Sequence, residues 1–357
     1  MYMKIIETGI VASRPGQMYG WPGITQAANG DIIVAASERK FHCCPYGREV
    51  IIRSKDSGKT WCLPQEIYNS EMDDRDANII TLKDGTLILS WFTSNAFEVN
   101  GWMARAARVT DKMRSELLGT WMMKSHDCGE TWEDDPIKIP VGMHISPVEL
   151  SDGSLLSMGW ECRFGQGEKN LCAYKSFDQG KSWRKTSDIE CGRLPNGKPG
   201  LNENHVVDTG NGNLVALFRK CNDFLRQSFS SDYGETWTKP EVTQIWGYPP
   251  QMIKLKNGDI LCVFGHRKIP YSIRGVISYD NGRTWDTDNI FTIYEWIDEP
   301  DMGYPCSLEV SPGEVLTIFY CSRSGSSIQS GKNPHTKLKQ DINPSPEGIL
   351  FVRYKLE

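Results

Sequence analysis

Apolar residues along the chain fall into short, strand-length runs, and six times two such runs are separated by a tight-turn dipeptide. The six are Asn29-Gly30, Asp84-Gly85, Asp152-Gly153, Asn211-Gly212, Asn257-Gly258 and Pro312-Gly313. Asn-Gly and Asp-Gly between strand-like segments signal β-hairpins, because the turn that matches strand twist needs residues that tolerate positive φ. A second pattern interleaves with the first. Ser-x-Asp-x-Gly-x-Thr/Ser-Trp occurs five times, at 54–61, 125–132, 176–183, 230–237 and 278–285. In each copy the Asp carboxylate can accept bonds from the amides of a tight turn, the Gly supplies positive φ, and the Trp folds back onto the sheet. The copies recur about every 50 to 70 residues, a period typical of blade or solenoid arrays.

Together the two patterns give one unit: strand, hairpin, strand, loop, strand, Asp turn, strand. Six such four-stranded antiparallel meanders predict an all-β, six-bladed β-propeller forming a single domain over 1–357. The blades fall near 12–66, 67–138, 139–190, 191–243, 244–295 and 296–357. The sixth unit has no Asp turn and room for only three strands, so the strand at 4–11 is expected to complete it and close the ring. Two insertions stand out. In 94–120, Met103, Ala106, Met113 and Leu117 lie near helical spacing and predict a short amphipathic helix over blade two. The segment 322–348 is rich in Ser, Gly, Pro and Lys and reads as a long loop.

Composition narrows the function. A net charge of −5 argues against a nucleic-acid or anionic-membrane surface. No apolar run is long enough to span a bilayer. The first residues lack a secretory signal, and the eleven Cys are an odd, scattered number; both fit a reducing, cytoplasmic setting. Adjacent Cys43 and Cys44 lack zinc-ligand spacing, and nothing in the chain calls for a metal or organic cofactor.

In such a meander the starts of first strands and the loops between second and third strands share one face, opposite the Asp turns. That face receives Trp21, Glu38, Arg39 and His42 from blade one, and Asp73, Asp74, Arg75 and Asp76 from blade two. His144 and Arg163 come from blade three, Glu203, His205 and Arg219 from blade four, Tyr248, Arg267 and Arg274 from blade five, and Tyr304 and Arg323 from blade six. Arginines converging from most blades predict an anionic ligand, because the guanidinium fork suits carboxylate, sulfate or phosphate.

The repeated Asp turns resemble the Asp boxes, or BNR repeats, of the sialidase superfamily, and the resemblance spans essentially the whole chain. Asn202-Glu203-Asn204 followed by Phe218-Arg219 is similar to the family segment that supplies a Glu and one Arg of the carboxylate-gripping triad. Ser272-Ile273-Arg274-Gly275-Val276 resembles the segment bearing another triad Arg. Gly303-Tyr304-Pro305 resembles the segment with the nucleophilic Tyr, and Ser37-Glu38-Arg39 the Glu-x-Arg end of the first blade. Two family features have no counterpart. Trp21-Pro22-Gly23 stands in place of an Arg-Ile-Pro motif, and the loop Lys40 to Pro45 contains no Asp for the usual acid/base.

The resemblance implies an exo-glycosidase acting on a terminal acidic sugar, with Tyr304 as nucleophile, Glu203 as its base, and Arg219 with Arg274 on the anionic group. Arg39, Arg75, Arg267, Trp21 and His42 are further substrate-facing candidates. For the proton donor the candidates are Asp76 or Asp74, then His42. A neutral Tyr avoids the repulsion that a carboxylate nucleophile would meet at an anionic sugar. A glycan lyase using Tyr304 and a His, and a non-catalytic glycan-binding propeller, are the competing readings.

Overall fold

The computed structural model describes residues 3–142, 147–163, 167–193, 200–297, 299–322 and 347–357. His144, Arg323, the side chain of Arg163 and nearly all of the 322–348 segment lie outside the described residues. Each turn dipeptide closes the hairpin expected of it, and the described strands form six four-stranded antiparallel sheets. Their first strands are Met18–Gln26, Asp73–Thr81, Val148–Glu149, Asn202–Gly210, Pro250–Lys254 and Met302–Ser311, and they pack against one another around a central axis. The result is a six-bladed propeller. Met3–Ala12 pairs antiparallel with Gly348–Leu356 and completes the sixth sheet, as the sequence requires.

The core is divided rather than central. One apolar cluster lies between each neighbouring pair of blades, from Ile33, Ala35, Ile79 and Leu89 between blades one and two round to Ile318, Phe351 and Val34 between six and one. A blade is therefore buried on both faces, which is why Ile32–Arg39 is buried at every position and opens with five consecutive apolar residues before Ser37, Glu38 and Arg39. Each buried Ile, Val or Leu side chain stabilises the ring by roughly 1.5–3 kcal/mol.

The Asp turns add a second set of inter-blade contacts. In the first, Asp56 Oδ1 accepts from the amides of Lys59 and Thr60 at 3.1 and 2.9 Å, and Ser54 Oγ accepts from the Gly58 amide at 2.7 Å. Residues 57 and 58 are both left-handed, with φ of 61° and 83°, so the turn asks positive φ of the residue before the Gly as well. Gly58 sits on Leu316 of blade six, where an added Cβ would come to 3.0 Å of Cδ2. The same glycine leans on Ile33 at 129, Met122 at 180, Leu156 at 234 and Val215 at 282. Every Asp turn thus rests on the blade before its own.

The insertion over blade two holds two short helices, Met103–Ala106 and Asp111–Leu117, rather than one. The Thr110 side chain accepts from the Met113 amide at 3.1 Å and starts the second helix afresh. Met113 and Leu117 pack on Phe97 and Met72, whereas Met103 is exposed, so only the second half of the expected apolar stripe is used.

Candidate active site

Four of the six first strands break register where they reach the axis: at Gly20/Gly23, Arg75/Asn78, Asn202/Asn204 and Gly303/Cys306. Inside each break stands a non-glycine residue with positive φ: Trp21 (51°), Asp76 (61°), Glu203 (20°) and Tyr304 (47°). Such conformations cost on the order of 1–3 kcal/mol each and concentrate at functional sites, and bulges re-aim side chains. Here they turn four side chains from four blades toward one point.

At that point the Tyr304 hydroxyl donates to Glu203 Oε1 at 2.6 Å. Arg219 Nη1 bonds Glu203 Oε2 and donates to the Tyr304 hydroxyl at 3.3 Å. Burial, then the neighbouring Glu203 charge, push the Tyr304 phenol well above its ordinary value, while Arg219 and Arg267 oppose the shift. The phenol is protonated at neutral pH, with a carboxylate already in line to accept its proton. Beside the pair lies a small cavity of about 40 Å³, lined by Trp21, Asn78, His205, Gln251, Glu203 and Tyr304, with room for ordered water.

Tyr248 organises the cationic side. The Arg219 guanidinium lies 4.4 Å and that of Arg267 5.4 Å from its ring centroid, and Arg267 also lies 5.8 Å from the Tyr304 ring. Arg267 is fixed by Nε and Nη2, which both donate to the Met302 carbonyl at 3.1 and 2.7 Å. Arg274 belongs elsewhere. Its Nε donates to Ser272 Oγ at 3.1 Å, and the charged groups coupled to it are His266 and Glu295. The structure therefore puts Arg267, not Arg274, beside Arg219 and Tyr304.

Trp21 is 3% exposed, so it offers no open face for a sugar. Arg75 and Arg39 lie over its ring at 4.3 and 4.8 Å, and it fixes these two arginines. Arg39 is likewise buried, bonded to Asp73 and donating to the Phe41 carbonyl; it is part of the wall rather than a substrate contact. Asp74 accepts from the Ser70 amide and the Thr93 hydroxyl, both at 2.6 Å, and clamps its own loop. Burial lifts its pKa to about 6. Asp76 does reach the site and acts electrostatically on Tyr304. Its carboxylate lies 3.5 Å from Arg75 Nε with a side chain only 2% exposed, which leaves little surface for a leaving group.

His42 stands at the mouth. Its Nδ1 lies 3.2 and 3.1 Å from the two carboxylate oxygens of Asp301, and its ring meets the Trp21 indole edge-on at 5.2 Å. Tyr320 donates to Asp301 Oδ1 at 2.6 Å. Asp301 and Tyr248 are the two residues of this arrangement that sequence reasoning undervalued. For Tyr248 a signal existed: Gly-aromatic-Pro recurs at 20–22, 247–249 and 303–305, each time where a first strand begins. For Asp301 none did. Among the described residues, no group of three His, Cys, Asp or Glu side chains is placed to hold a metal ion.

Six blades, five of them closed by Asp turns, around a strained, charged cluster at one mouth of the axis define a β-propeller with a candidate active site. The chain belongs to the BNR repeat-like domain family, whose model matches residues 47–316. Among solved structures, a Dyadobacter fermentans protein of unknown function superposes with a TM-score of 0.78 at 20% identity, covering 99% of both chains. The NanB sialidase of Streptococcus pneumoniae matches at 0.63 and 14% identity, over 87% of this chain and 66% of its own. Trypanosoma rangeli sialidase matches at 0.62 and 15%, over 94% and 55%. The chain thus shares the sialidase fold and spans two thirds or less of these two sialidases. No curated protein matches it in sequence.

Proposed function

We propose that the protein is a retaining exo-glycosidase that removes a terminal acidic sugar, sialic-acid-like or uronic, through the Tyr304–Glu203 pair. The observation that carries this is the 2.6 Å bond from the Tyr304 hydroxyl to Glu203, braced by Arg219. In the first step the phenol oxygen attacks the anomeric carbon and its proton passes to Glu203. The glycosidic C–O bond breaks, and the leaving oxygen takes a proton from a second group. In the second step water replaces Tyr304 at the anomeric carbon and the phenol recovers its proton from Glu203. The raised pKa of Tyr304 supports this order, because the proton moves only as attack proceeds.

Arg219 and Arg267 hold the substrate's anionic group. Arg219 and Arg75 have carboxylate partners. Arg267 has no carboxylate within ion-pair distance among the described residues and lies beside the Tyr304 ring, so it is the guanidinium assigned to the ligand with Arg219. The reading is tested by release of fluorophore from a sialic acid aryl glycoside and from the matching uronide, with Tyr304→Phe alongside. Turnover that the variant lacks supports the Tyr/Glu mechanism, and turnover that survives in it removes the assignment. Elimination would be told from hydrolysis by an unsaturated product absorbing in the near ultraviolet.

A further inference from the structure

The Tyr/Glu pair leaves one chemical role unfilled: the group that protonates the departing oxygen and later deprotonates the attacking water. Glu203 is committed to the Tyr304 proton, and Asp76 is buried against Arg75. We infer that His42, oriented by Asp301, is the general acid/base of this site. The inference rests on the glycosidase reading above and deepens it.

The geometry has three parts. First, Asp301 fixes the ring. Both its oxygens lie within hydrogen-bond distance of His42 Nδ1, so Nδ1 carries a proton donated to the carboxylate and Nε2 is the nitrogen left to exchange one with substrate. The side chain of His42 is 42% exposed and that of Asp301 12%; the working end meets solvent while its anchor does not. Asp301 is itself held as an anion, its pKa lowered against the cost of burial by His42, Tyr320 and Arg267.

Second, the backbone on either side of His42 is pinned. Arg39 Nε donates to the Phe41 carbonyl at 3.1 Å, and Trp102 Nε1 donates to the Cys43 carbonyl at 2.9 Å. Phe41 and Tyr46 also pack on the Trp102 ring, at 5.9 and 5.7 Å. The helical insertion of blade two therefore reaches across to hold the blade-one loop, which gives that insertion a purpose. Third, the dyad is one ring from the nucleophile. Trp21 touches His42 at 5.2 Å and Tyr304 at 6.4 Å, and Tyr320 links Asp301 to Tyr304 with ring centroids 5.9 Å apart.

The proton balance closes. Imidazolium Nε2–H gives its proton to the glycosidic oxygen as that oxygen leaves. The neutral Nε2 then takes a proton from the water that displaces Tyr304, and the imidazolium is restored. No co-reactant is needed.

Leaving-group dependence tests the role. A 4-methylumbelliferyl sialoside needs little acid assistance, whereas a sialyl-galactose disaccharide needs it fully; the matching uronides serve if sialosides are not turned over. For His42→Ala the expected loss in kcat/KM is about 10²–10⁴-fold on the disaccharide and under about tenfold on the aryl glycoside. Asp301→Asn should discriminate in the same direction, and Asp76→Asn should not. Equal losses of His42→Ala on both substrates, or discrimination by Asp76→Asn instead, overturn the dyad, while Tyr304→Phe still tests the nucleophile independently. A wild type that turns over neither sugar class removes both.

A readout free of turnover is the ¹⁵N spectrum of the His42 ring. Neutral wild type should show the Nδ1–H tautomer that the Asp301 contact selects, and Asp301→Asn should lose that preference. An unchanged tautomer ratio in a folded variant overturns the pairing.

Discussion

The Tyr304 hydroxyl and Glu203 Oε1 meet at 2.6 Å although 101 residues separate them and they belong to different blades. Both stand at positive φ inside a register break of their first strands. The pair is thus held by two strained backbones, and the strain is tolerated because the sheets on either side are fully packed.

Glu203→Gln is expected to act twice. Loss of the base should lower kcat by about 10²–10⁴-fold. Because Arg219 is only 14% exposed and loses its anionic partner, the folded state should also lose about 3 kcal/mol. Turnover and urea unfolding measured on one preparation check both; a variant of unchanged stability would mean that Arg219 finds another partner.

The two arginines of blade five should separate cleanly. Arg267→Ala, next to Tyr304, should reduce kcat/KM on an anionic glycoside by about 10²-fold. Arg274→Ala, bonded to Ser272, should change it by less than about threefold. Steady-state kinetics of both variants decide which guanidinium faces the ligand, and a larger loss at Arg274 would reverse the assignment.

Two glycines at nearly equal φ should differ in stability on substitution. Gly180 has φ of 87°, and an added Cβ there overlaps Met122 of the preceding blade; Gly153 has φ of 82° with nothing within 4 Å. Gly153→Ala should cost about 1 kcal/mol from backbone strain alone, and Gly180→Ala about 2–4 kcal/mol with overpacking added. Thermal midpoints of the two variants test the inter-blade role of the Asp turn, and equal losses would refute it.

His205 lines the cavity below the pair, its Nδ1 without a hydrogen-bond partner. Burial lowers its pKa from 6.5 to about 4. The unfolded chain therefore binds this proton first, so the contribution to stability is full above pH 6.5 and falls as pH drops toward 4. Relative to His205→Asn, wild type should lose roughly 3 kcal/mol between pH 7 and pH 4. Urea denaturation at the two pH values measures the difference, and parallel losses in both proteins would contradict a neutral His205.

What could be read from the sequence was local and repeated. The Ser54–Trp61 turn makes its bonds within eight residues, so five copies announce themselves, and counting hairpins gives the blade order and the closing strand. The direction of side chains near the axis could not be read the same way. The resemblance of Ser272–Val276 to a family segment assigns Arg274 to the anionic group, but a segment match does not fix which neighbours a side chain meets, and Arg274 bonds Ser272. Trp21 reads equally as a sugar platform or as core until the bulge at 20–23 turns it under Arg75. Asp301 pairs with a residue 259 positions away, and no spacing rule reaches that far.

The five Asp-turn glycines each lean on the preceding blade, and blade six has no such turn to lean on blade five. The Asp turns therefore lean in one rotational sense, and the joint between blades five and six is the one that no Asp turn spans. Tyr304 lies on one side of that joint and Arg267 on the other. Across that joint Arg267 itself does the bracing, donating twice to the Met302 carbonyl, so the bonds that close the ring also set the distance between the anion-binding guanidinium and the nucleophile's strand.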